Sequence, residues 1–503
     1  MQPKSLLRII IHTLAMLAMS SALASSAGAA AKYQTLHKFT GGKDGASPYS
    51  TLIFDKLGNL HGTTASGGAN NAGTVFSLTP GTSGWTKTVL YSFSGGADGG
   101  NPYAGLISDS AGNLYGTTKN GGSSNCKGCG VVFKLAPTSK GGWTESVLYS
   151  FLGGLDGAYP GAALVFDGVG NLYGTTEGGG PGDCSVNGIN GCGVVFELTT
   201  TTGGAWTESA LYGFSGGNDG AFPVAAVILD AAGNLYGTTF YDTVGGGVVF
   251  SLTPSSHGAW TETVLMTFYL EIQAGLVFDS AGNLYGTTLY GGKEGLVFEL
   301  SPTTGGWTYR IIHRFNGKNG ATPTATLIFD QSGNLYGTTT QGGALGYGVV
   351  FKLMPNSGGG WTERVLWNFR DHPGDDPAAA LVLDNAGNLT AQPAATAKRP
   401  LAPYLRSPRS FVFGAVVTCH HTTLNHIVKQ GAPLFPRSLR KGWEARMTSG
   451  PQWLTTIRGY VCLSIRGSSS CAPCGSRVGP CGQVSQRGRF HDHIWPLRLA
   501  DDD

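Results

Sequence analysis

The sequence predicts an all-β protein, a β-propeller of about seven four-stranded blades in which the seventh blade is incomplete. Three observations carry this prediction. Gly-Asn-Leu recurs seven times, a fixed order of four short apolar segments accompanies it, and Gly makes up 81 of 503 residues while charged residues make up 13%. Such a chain is too apolar for a disordered protein and too rich in glycine for a helical one. The seven glycines of the tripeptide are Gly58, Gly112, Gly170, Gly233, Gly282, Gly333 and Gly387.

Each repeat contains four predicted strands. In the second repeat these are AGLISD at 104–109, NLYGTT at 113–118, GVVFKL at 130–135 and WTESVLYSF at 143–151. Each segment is short, rich in β-branched and aromatic residues, and bounded by turn residues. A four-stranded unit that recurs about seven times is typical of a propeller.

The turn between the first two strands has the pattern Asp-x-x-Gly-Asn. The Asp carboxylate accepts backbone N–H groups across the turn, and the Gly supplies a positive φ. Seven aspartates in a ring would also suit metal ligands, but we interpret them as turn residues. They are Asp55, Asp109, Asp167, Asp230, Asp279, Asp330 and Asp384.

The fourth strand opens with Trp-Thr, followed by Glu in four repeats. We expect the tryptophans to pack between blades, because every blade needs aromatic filling. We expect the glutamates to lie on a solvated outer face, where like charges discourage strand pairing. The tryptophans are Trp85, Trp143, Trp206, Trp260, Trp307 and Trp361, and the glutamates are Glu145, Glu208, Glu262 and Glu363.

The topology predicts that the linkers between blades and the loops between second and third strands emerge on one common face. These loops vary from GGKEG at 291–295 to EGGGPGDCSVNGINGCG at 177–193. Length variation on a repeated scaffold commonly marks the functional surface. We therefore place any binding site on this face.

Ring closure is predicted to involve the N-terminal part of the repeat region. YQTLHKF at 33–39 resembles the end of a fourth strand, yet it precedes every first strand. We expect it to complete the seventh blade that begins at Ala380–Leu389.

The seventh copy loses the repeat after Leu389, where Thr-Ala-Gln-Pro at 390–393 replaces Tyr-Gly-Thr-Thr. Deleting the first base of TAC GGC ACA ACC leaves ACG GCA CAA CC, which encodes Thr-Ala-Gln-Pro. We interpret residues 390–503 as a frameshifted, disordered tail. This segment holds 15 basic and 5 acidic residues, so a basic binding tail is the rival interpretation, although the basic residues are scattered without a run.

The first residues predict a signal peptide at 1–29. Lys4 and Arg8 precede an apolar run, and small residues offer cleavage after Ala24 or Ala29. No other stretch is long and apolar enough to span a bilayer. We expect residues 33–389 to form an exported propeller domain without a transmembrane span, most simply a monomer outside the cell or on its surface.

Four cysteines lie in the repeat region, all in loops between second and third strands. Export favours disulfides, with local pairs Cys126–Cys129 and Cys184–Cys192 as the first expectation, although cross-blade pairing stays open. The linkers supply the remaining site candidates, because Asp among glycines suits Ca²⁺, although turn formation is the simpler interpretation. These binding candidates are Asp44, Asp98, Asp156 and Asp219. A ring of Asp makes nucleic acid an unsuitable partner and favours a cation, a sugar or a basic surface.

The block DxxGNLYGTTxxGG…GVVFxL…GGWTExVLYSFxGGxDGxxP resembles the GloVer tandem repeat of exported bacterial proteins, over residues 33–389. The resemblance implies an extracellular location and a propeller-like repeat, with no catalytic residues to carry over. Members often end in a C-terminal anchoring signal, which residues 390–503 lack in recognisable form. A frameshift accounts for that difference.

The sequence contains neither the HExxH motif of zinc-dependent hydrolases nor the phosphate-binding GxxxxGK[ST] motif. We expect a non-catalytic scaffold that binds a glycan or a surface protein on the loop-rich face, with no cofactor unless Ca²⁺ occupies the linkers. The alternative is a propeller-type carbohydrate-active enzyme, such as a lyase or a lactonase-like hydrolase. Glu271 is the residue to check for it, because the fifth repeat loses its linker pattern there.

Overall fold

The computed structural model contains six four-stranded antiparallel blades arranged as a β-propeller, followed by a two-stranded start of a seventh. It describes residues 33–122, 126, 128–241, 245–256, 258–291, 294–370 and 377–392, and the backbone of three strands between 454 and 473. Within each blade the strands are hydrogen-bonded in chain order from first to fourth. The prediction of the fold class is confirmed.

The blades have closely similar strand bounds. Blade 1 comprises β1 (Ile53–Phe54), β2 (Leu60–Thr64), β3 (Thr74–Gly81) and β4 (Gly84–Ser92). Blade 2 comprises β5 (Ile107–Ser108), β6 (Leu114–Thr118), β7 (Val131–Pro137) and β8 (Trp143–Ser150). Blade 3 comprises β9 (Val165–Phe166), β10 (Leu172–Thr176), β13 (Val194–Thr200) and β14 (Trp206–Gly213), with the hairpin β11 (Ser185–Val186) and β12 (Ile189–Asn190) inserted after β10.

The later blades follow the same order. Blade 4 comprises β15 (Ile228–Leu229), β16 (Leu235–Thr238), β17 (Val248–Pro254) and β18 (Trp260–Thr267). Blade 5 comprises β19 (Val277–Phe278), β20 (Leu284–Thr288), β21 (Leu296–Thr303) and β22 (Gly306–Arg314). Blade 6 comprises β23 (Ile328–Phe329), β24 (Leu335–Thr339), β25 (Val349–Pro355) and β26 (Trp361–Asn368), and blade 7 begins with β27 (Val382–Leu383) and β28 (Leu389–Thr390).

The core lies between the blades and is built around one repeated aromatic contact. Phe93 at the end of blade 1 meets Phe133 of blade 2 edge to face, with ring centroids 5.0 Å apart. The glycine of YGTT makes room for this ring, because a Cβ on Gly116 would lie 2.7 Å from Phe133 Cζ. Equivalent contacts, with centroids 4.8–5.1 Å apart, are Phe151–Phe196, Phe214–Phe250, Phe268–Phe298 and Phe315–Phe351.

A repeated hydrogen bond also joins neighbouring blades. Thr117 Oγ1 at the end of β6 donates to Ala162 O at the entry to blade 3, over 3.0 Å, and both residues are buried. The same threonine of blades 1, 3, 4 and 6 donates to the matching alanine carbonyl of the next blade. These pairs are Thr63–Ala104, Thr175–Ala225, Thr238–Ala274 and Thr338–Ala379.

The first strands line the axis, where neighbouring blades approach closely. A Cβ on Gly105 would lie 3.0 Å from Thr51 O of the preceding blade, and the Gly275 N–H donates to Thr326 Oγ1 of the following blade. The residues at this position are small. They are Thr51, Gly105, Ala163, Ala226, Gly275, Thr326 and Ala380.

The predicted common face is confirmed by backbone pairing. In blade 2, Gly100 of the linker forms an antiparallel bridge with Asn120, which follows the second strand, and four other blades contain the same bridge. Linkers and second-to-third-strand loops therefore share one side of the propeller, hereafter the linker face. Tryptophans pack between blades as predicted, for example Trp260 against Tyr173 and Trp307 against Tyr236.

Residues 33–39 take the place of the last part of a seventh blade without forming a strand. Phe39 meets Phe76 of blade 1 with centroids 5.1 Å apart, as each preceding blade meets the next. Tyr33 stacks on Trp367 of blade 6, and Val382 packs with Phe39 against the blade 1 core. The predicted position is therefore observed, but the predicted strand pairing is not, since no third strand is present among the described residues.

A second unit begins at Pro400, after the propeller. Three strands, β29 (Leu454–Ile457), β30 (Tyr460–Ile465) and β31 (Ser468–Pro473), form an antiparallel sheet in the order β29-β30-β31. The predicted disorder of residues 390–503 otherwise concerns positions outside the described residues, apart from 390–392. The predicted signal peptide at 1–29 also lies outside them.

The inter-blade threonine gives a direct test of the packing. We expect Thr117→Val to lower the free energy of unfolding by about 1–3 kcal/mol, because the isosteric change leaves the buried Ala162 carbonyl without its donor. Chemical denaturation measures this change. Thr144→Val, on the exposed outer strand β8, is the matched control and should change stability by less than about 0.5 kcal/mol. Equal effects of the two substitutions would contradict the assignment.

Candidate functional site

The aspartates of the Asp-x-x-Gly-Asn turns form a repeated structural cluster. Asp109 Oδ1 accepts the N–H groups of Ala111 and Asn113 at 3.0 and 2.9 Å, and Oδ2 accepts Tyr115 OH at 3.0 Å. Burial alone would raise the pKa of Asp109, but these hydrogen bonds lower it. The turn interpretation is confirmed, because every other copy likewise receives the N–H groups of the second and fourth residues after the Asp.

The linker aspartates also receive hydrogen bonds from within their own turns. Asp98 Oδ2 accepts the Ser94 N–H at 2.8 Å and Tyr91 OH at 3.0 Å. Asp156 and Asp219 accept the same two kinds of donor. Among the described residues, no group of three or more His, Cys, Asp or Glu is placed to hold a metal ion. Turn formation accounts for the contacts of these three candidates.

The glutamates that follow Trp-Thr are not on a solvated face, and that expectation is wrong. Each is half-buried, and its Oε1 atom is buried without a hydrogen-bond partner among the described residues. The strand presents them to the gap between blades, where they face the linker aspartates. Burial and the charge of Asp98 raise the pKa of Glu145 to about 7. Burial and the charge of Asp156 likewise raise the pKa of Glu208 to about 7. Burial and the charge of Asp219 raise the pKa of Glu262 to about 7.

Two other blade boundaries have a different polar pair at these positions. At the ring closure, Lys87 stands where four other blades have Glu, and its Nζ lies 3.0 Å from Asp44 Oδ1. Burial alone would raise the pKa of Asp44, but hydrogen bonds from Thr40 and Lys87 hold it at about 2. Before blade 6, Asn319 stands in place of the Asp, and its Nδ2 donates to Glu363 Oε2 at 2.9 Å.

The four cysteines of the repeat region are joined locally. Cys126 bonds to Cys129, and Cys184 bonds to Cys192. The second pair encloses the hairpin β11–β12, so it ties the longest linker-face loop to its base. Neither pair crosses between blades.

An aromatic pair lies near the axis on the linker face of blades 1 and 2. Tyr49 and Tyr103 stack with ring centroids 5.7 Å apart and an interplanar angle of 23°. Their exposed fractions are 37% and 40%. Each follows the linker proline, and the residues at this position in later blades are not aromatic: Gly161, Val224, Gln273, Thr324 and Ala378.

A buried ion pair lies beside these rings. Lys119 Nζ is 2.8 and 2.7 Å from the two carboxylate oxygens of Glu177, and 5.8 Å from the centroid of Tyr103. The two side chains are 14% and 10% exposed. Glu177 uses space that Gly161 leaves, because a Cβ there would lie 2.7 Å from Glu177 Oε1.

Glu271, the exception in the fifth repeat, lies on the same face. Its Oε1 accepts Tyr241 OH at 3.2 Å, and its carbonyl accepts the Leu289 N–H at 2.9 Å. Burial raises the pKa of Glu271, which the Tyr241 hydrogen bond only partly offsets.

Comparison with known families identifies the family to which the repeat belongs. The model of the Gloeobacter/Verrucomicrobia repeat matches residues 22–186 and 269–392, which is more than half of the chain. The chain belongs to this family. The match ends at residue 392, within the incomplete seventh blade.

Solved propellers resemble the chain at low identity. One is described as a gluconolactonase from Xanthomonas campestris. It is 14% identical, with a TM-score of 0.34, and the match covers 60% of this chain and 85% of that protein. Another is described as a putative oxidoreductase (glucose dehydrogenase) from Thermus thermophilus; it is 16% identical, with a TM-score of 0.36, and the match covers 65% of this chain and 98% of that protein. No curated protein matches the chain.

Four residues of this surface are not predicted from the sequence: Tyr49, Tyr103, Lys119 and Glu177. The repeat itself held the signal, since the residue after Tyr-Gly-Thr-Thr is charged only in repeats 2 and 3. That position is occupied by Ala65, Lys119, Glu177, Phe240, Leu289 and Thr340.

Among the described residues, no helix is long and apolar enough to cross a membrane.

The three carboxyl pairs predict a pH dependence of stability. Glu145, Glu208 and Glu262 have pKa values near 7 in the fold, against 4.5 as the ordinary value. The folded chain binds these protons more tightly than the unfolded chain does, so protonation stabilises the fold. This stabilisation is complete below pH 4.5 and is lost as the pH rises through 7, where the folded chain also loses its protons. We expect a lower free energy of unfolding at pH 8 than at pH 5.

Urea denaturation of Glu208→Gln at the two pH values checks this assignment. The variant should make the difference between the two pH values smaller than in the wild type, since one of the three sites no longer titrates. Lys140→Met, which removes a charge at an exposed position, is the control and should leave the difference between the two pH values intact. An unchanged difference in Glu208→Gln would contradict the proposed cause.

Proposed function

We propose that this protein is an exported, non-catalytic scaffold that binds a ligand on its linker face. The observation that carries the proposal is where the repeat loses its symmetry. The cores of the blades are nearly identical, whereas the linker face near the axis gains two stacked tyrosines and one buried ion pair in blades 1–3 only. Repeat proteins commonly place their binding residues on such a variable surface.

Binding is favoured over catalysis by the chemistry of the axial positions. The residues that line the axis are Gly, Ala and Thr, none of which titrates near neutral pH. Lys119 and Glu177 neutralise each other at short distance, which suits recognition better than proton transfer.

A second candidate function rests on Glu271. Its half-buried carboxyl has a raised pKa and a hydrogen bond to Tyr241, which are properties of a general acid. A carbohydrate-active lyase or hydrolase would use such a group. We rank this candidate second because the group that contacts the Glu271 carboxyl is the Tyr241 hydroxyl, whose pKa is raised to about 12 and which therefore does not act as a base near neutral pH.

Retention and product assays on the full chain separate the two functions. The panel is insoluble cellulose, chitin, xylan, bacterial sacculi, and intact cells with and without protease treatment. We expect retention on at least one of them, without release of reducing ends or unsaturated sugars. Product formation that Glu271→Gln abolishes would establish the enzyme instead, and lack of retention throughout would reject the scaffold.

Export is supported by the N-terminal pattern and by two disulfides, which persist in oxidising compartments. The protein used in these assays is therefore recovered from outside the cytoplasm of a bacterial host. N-terminal sequencing should begin at Ser25 or Ala30. Recovery only from the cytoplasm, with Met1 retained, would contradict export.

We also propose that residues 390–503 are an out-of-frame translation of a seventh blade. Gln392 occupies the position of the inter-blade threonine, in register with Thr63 and Thr117. Its Oε1 lies 3.2 Å from Ser50 Oγ of blade 1, while its Nε2 is buried without a partner among the described residues. A threonine would donate to the Ser50 carbonyl and leave no orphaned amide.

Stability measurements on a repaired chain test the reading frame. Restoring one base before codon 390 should yield Tyr-Gly-Thr-Thr at 390–393, followed by a Gly-rich loop and a third strand. We expect the repaired protein to unfold at higher denaturant concentration, because the seventh blade then buries both neighbours. A repaired chain of equal or lower stability, or one whose new frame lacks a GVVF-like strand, would contradict the proposal.

A further inference from the structure

We propose that Asn319 is a site of deamidation, at which the surrounding fold promotes the conversion of the side-chain amide to a carboxyl group. The inference concerns the linker between blades 5 and 6 and does not depend on the proposed binding function. The reaction consumes water and releases ammonia. Its product has a carboxyl group at the position where other linkers have Asp44, Asp98, Asp156 and Asp219.

The attacking group is the backbone nitrogen of Gly320. Asn319 follows Phe315 by four residues, whereas Asp98 follows Phe93 by five, so this linker is one residue shorter. In the linkers with Asp, the N–H of the next glycine donates to a carbonyl three residues earlier, over 3.1–3.2 Å. The Gly320 N–H has no acceptor among the described residues, and the φ of Gly320 is 130° instead of 88–96°.

This nitrogen is placed for reaction with the side chain before it. Glycine lacks the Cβ that would hinder the approach of Gly320 N to Asn319 Cγ. Two groups held in one chain react as if they were highly concentrated, so the first step is formation of the N–Cγ bond within the chain. The Gly320 proton passes to hydroxide, which reaches the linker because Asn319 is only partly buried.

The amide oxygen of Asn319 already has a donor. The backbone N–H of Asn316 donates to Asn319 Oδ1 at 2.9 Å. Negative charge develops on this oxygen when Gly320 N bonds to Cγ. A donor that is in place before the reaction stabilises such charge without reorganisation.

The leaving nitrogen has two polar neighbours. Asn319 Nδ2 lies 2.9 Å from Glu363 Oε2 and 3.2 Å from His313 Nε2. Burial raises the pKa of Glu363, which the Asn319 hydrogen bond only partly offsets, so its carboxyl retains a proton more readily. That proton passes to Nδ2 as the Cγ–Nδ2 bond breaks, and the nitrogen leaves as ammonia. Water then opens the succinimide ring at one of its two carbonyl carbons, which gives aspartate or isoaspartate.

Deamidation changes the chemistry of the boundary before blade 6. The new carboxyl group faces Glu363, as Asp98 faces Glu145 in the gap before blade 2. It also replaces the Nδ2 donor that Glu363 and His313 now share. The boundary thereby becomes a fourth carboxyl pair, and the loss of stability between pH 5 and pH 8 becomes larger.

The same linker contains a reference site, Asn316–Gly317. Asn316 is exposed, but the Gly317 N–H donates to Gly320 O at 3.1 Å, so its nitrogen is engaged. Exposure alone favours reaction at Asn316, whereas the proposed arrangement favours Asn319. Trypsin cleaves after Lys318, so the two asparagines fall in separate peptides, 315–318 and 319–352.

Peptide mapping of the full chain tests the proposal. The folded protein is incubated at pH 8 in water enriched in heavy oxygen and is then digested in ordinary water, so only earlier deamidation carries the label. We expect label at Asn319 to appear at least about fivefold faster than at Asn316. In urea, where the linker contacts are lost, the two rates should agree within about twofold, because the two sites have the same Asn-Gly sequence.

Glu363→Gln tests the proton transfer and should slow labelling of Asn319 at least about threefold. Glu208→Gln, at the same position of blade 3, is the matched control and should leave this rate unchanged. Equal or slower labelling of Asn319 relative to Asn316 in the folded chain would overturn the proposal. This comparison uses the wild type alone, so it stands even where a substitution impairs folding. An unchanged rate in folded Glu363→Gln would overturn the proposed proton transfer.

Discussion

The edge-to-face contact between a phenylalanine that ends one blade and a phenylalanine on the third strand of the next is the constraint on which the structure depends. It is possible only because the second strand has glycine beside the ring, where a Cβ would lie 2.5–3.0 Å from Phe Cζ. Interiors are packed closely enough that even one added methyl group is felt. The same Phe and Gly therefore recur in every complete blade. The Gly of the YGTT sequence is the residue that this packing requires.

This constraint allows the side chains of the two faces of the propeller to vary to different extents. The opposite face is filled by Asp-x-x-Gly-Asn turns, whose carboxylates accept backbone N–H groups in each copy and the Tyr hydroxyl in blades 2–6. The linker face is joined by backbone bridges that tolerate almost any side chain at their ends. Aromatic and charged residues accumulate there without disturbing the core, which is why the proposed binding site and the repeated architecture coexist.

The gaps between neighbouring blades contain carboxyl groups whose protonation affects the stability of the fold. A Tyr hydroxyl and a turn N–H group hold Asp98, Asp156 and Asp219, and the Glu of the next blade has to share that negative environment. Lys87 removes the conflict at the ring closure, and Asn319 removes it before blade 6. The closing boundary thus has an attractive ion pair where three internal boundaries have carboxyl pairs. This boundary is also the one that lacks a complete seventh blade, so it gains from any added attraction.

The sequence alone determined the repeat, the blade type, the turn function of the Asp residues and the position of residues 33–39, because period and turn chemistry are local properties. It could not place the Trp-Thr-Glu carboxylates, since strand alternation indicates an outward side chain but not whether a neighbouring blade covers it. Only the tertiary structure brought Tyr49, Tyr103, Lys119 and Glu177 together, from positions up to 128 residues apart. Their proximity arises from the convergence of blades around an axis, which no single repeat encodes.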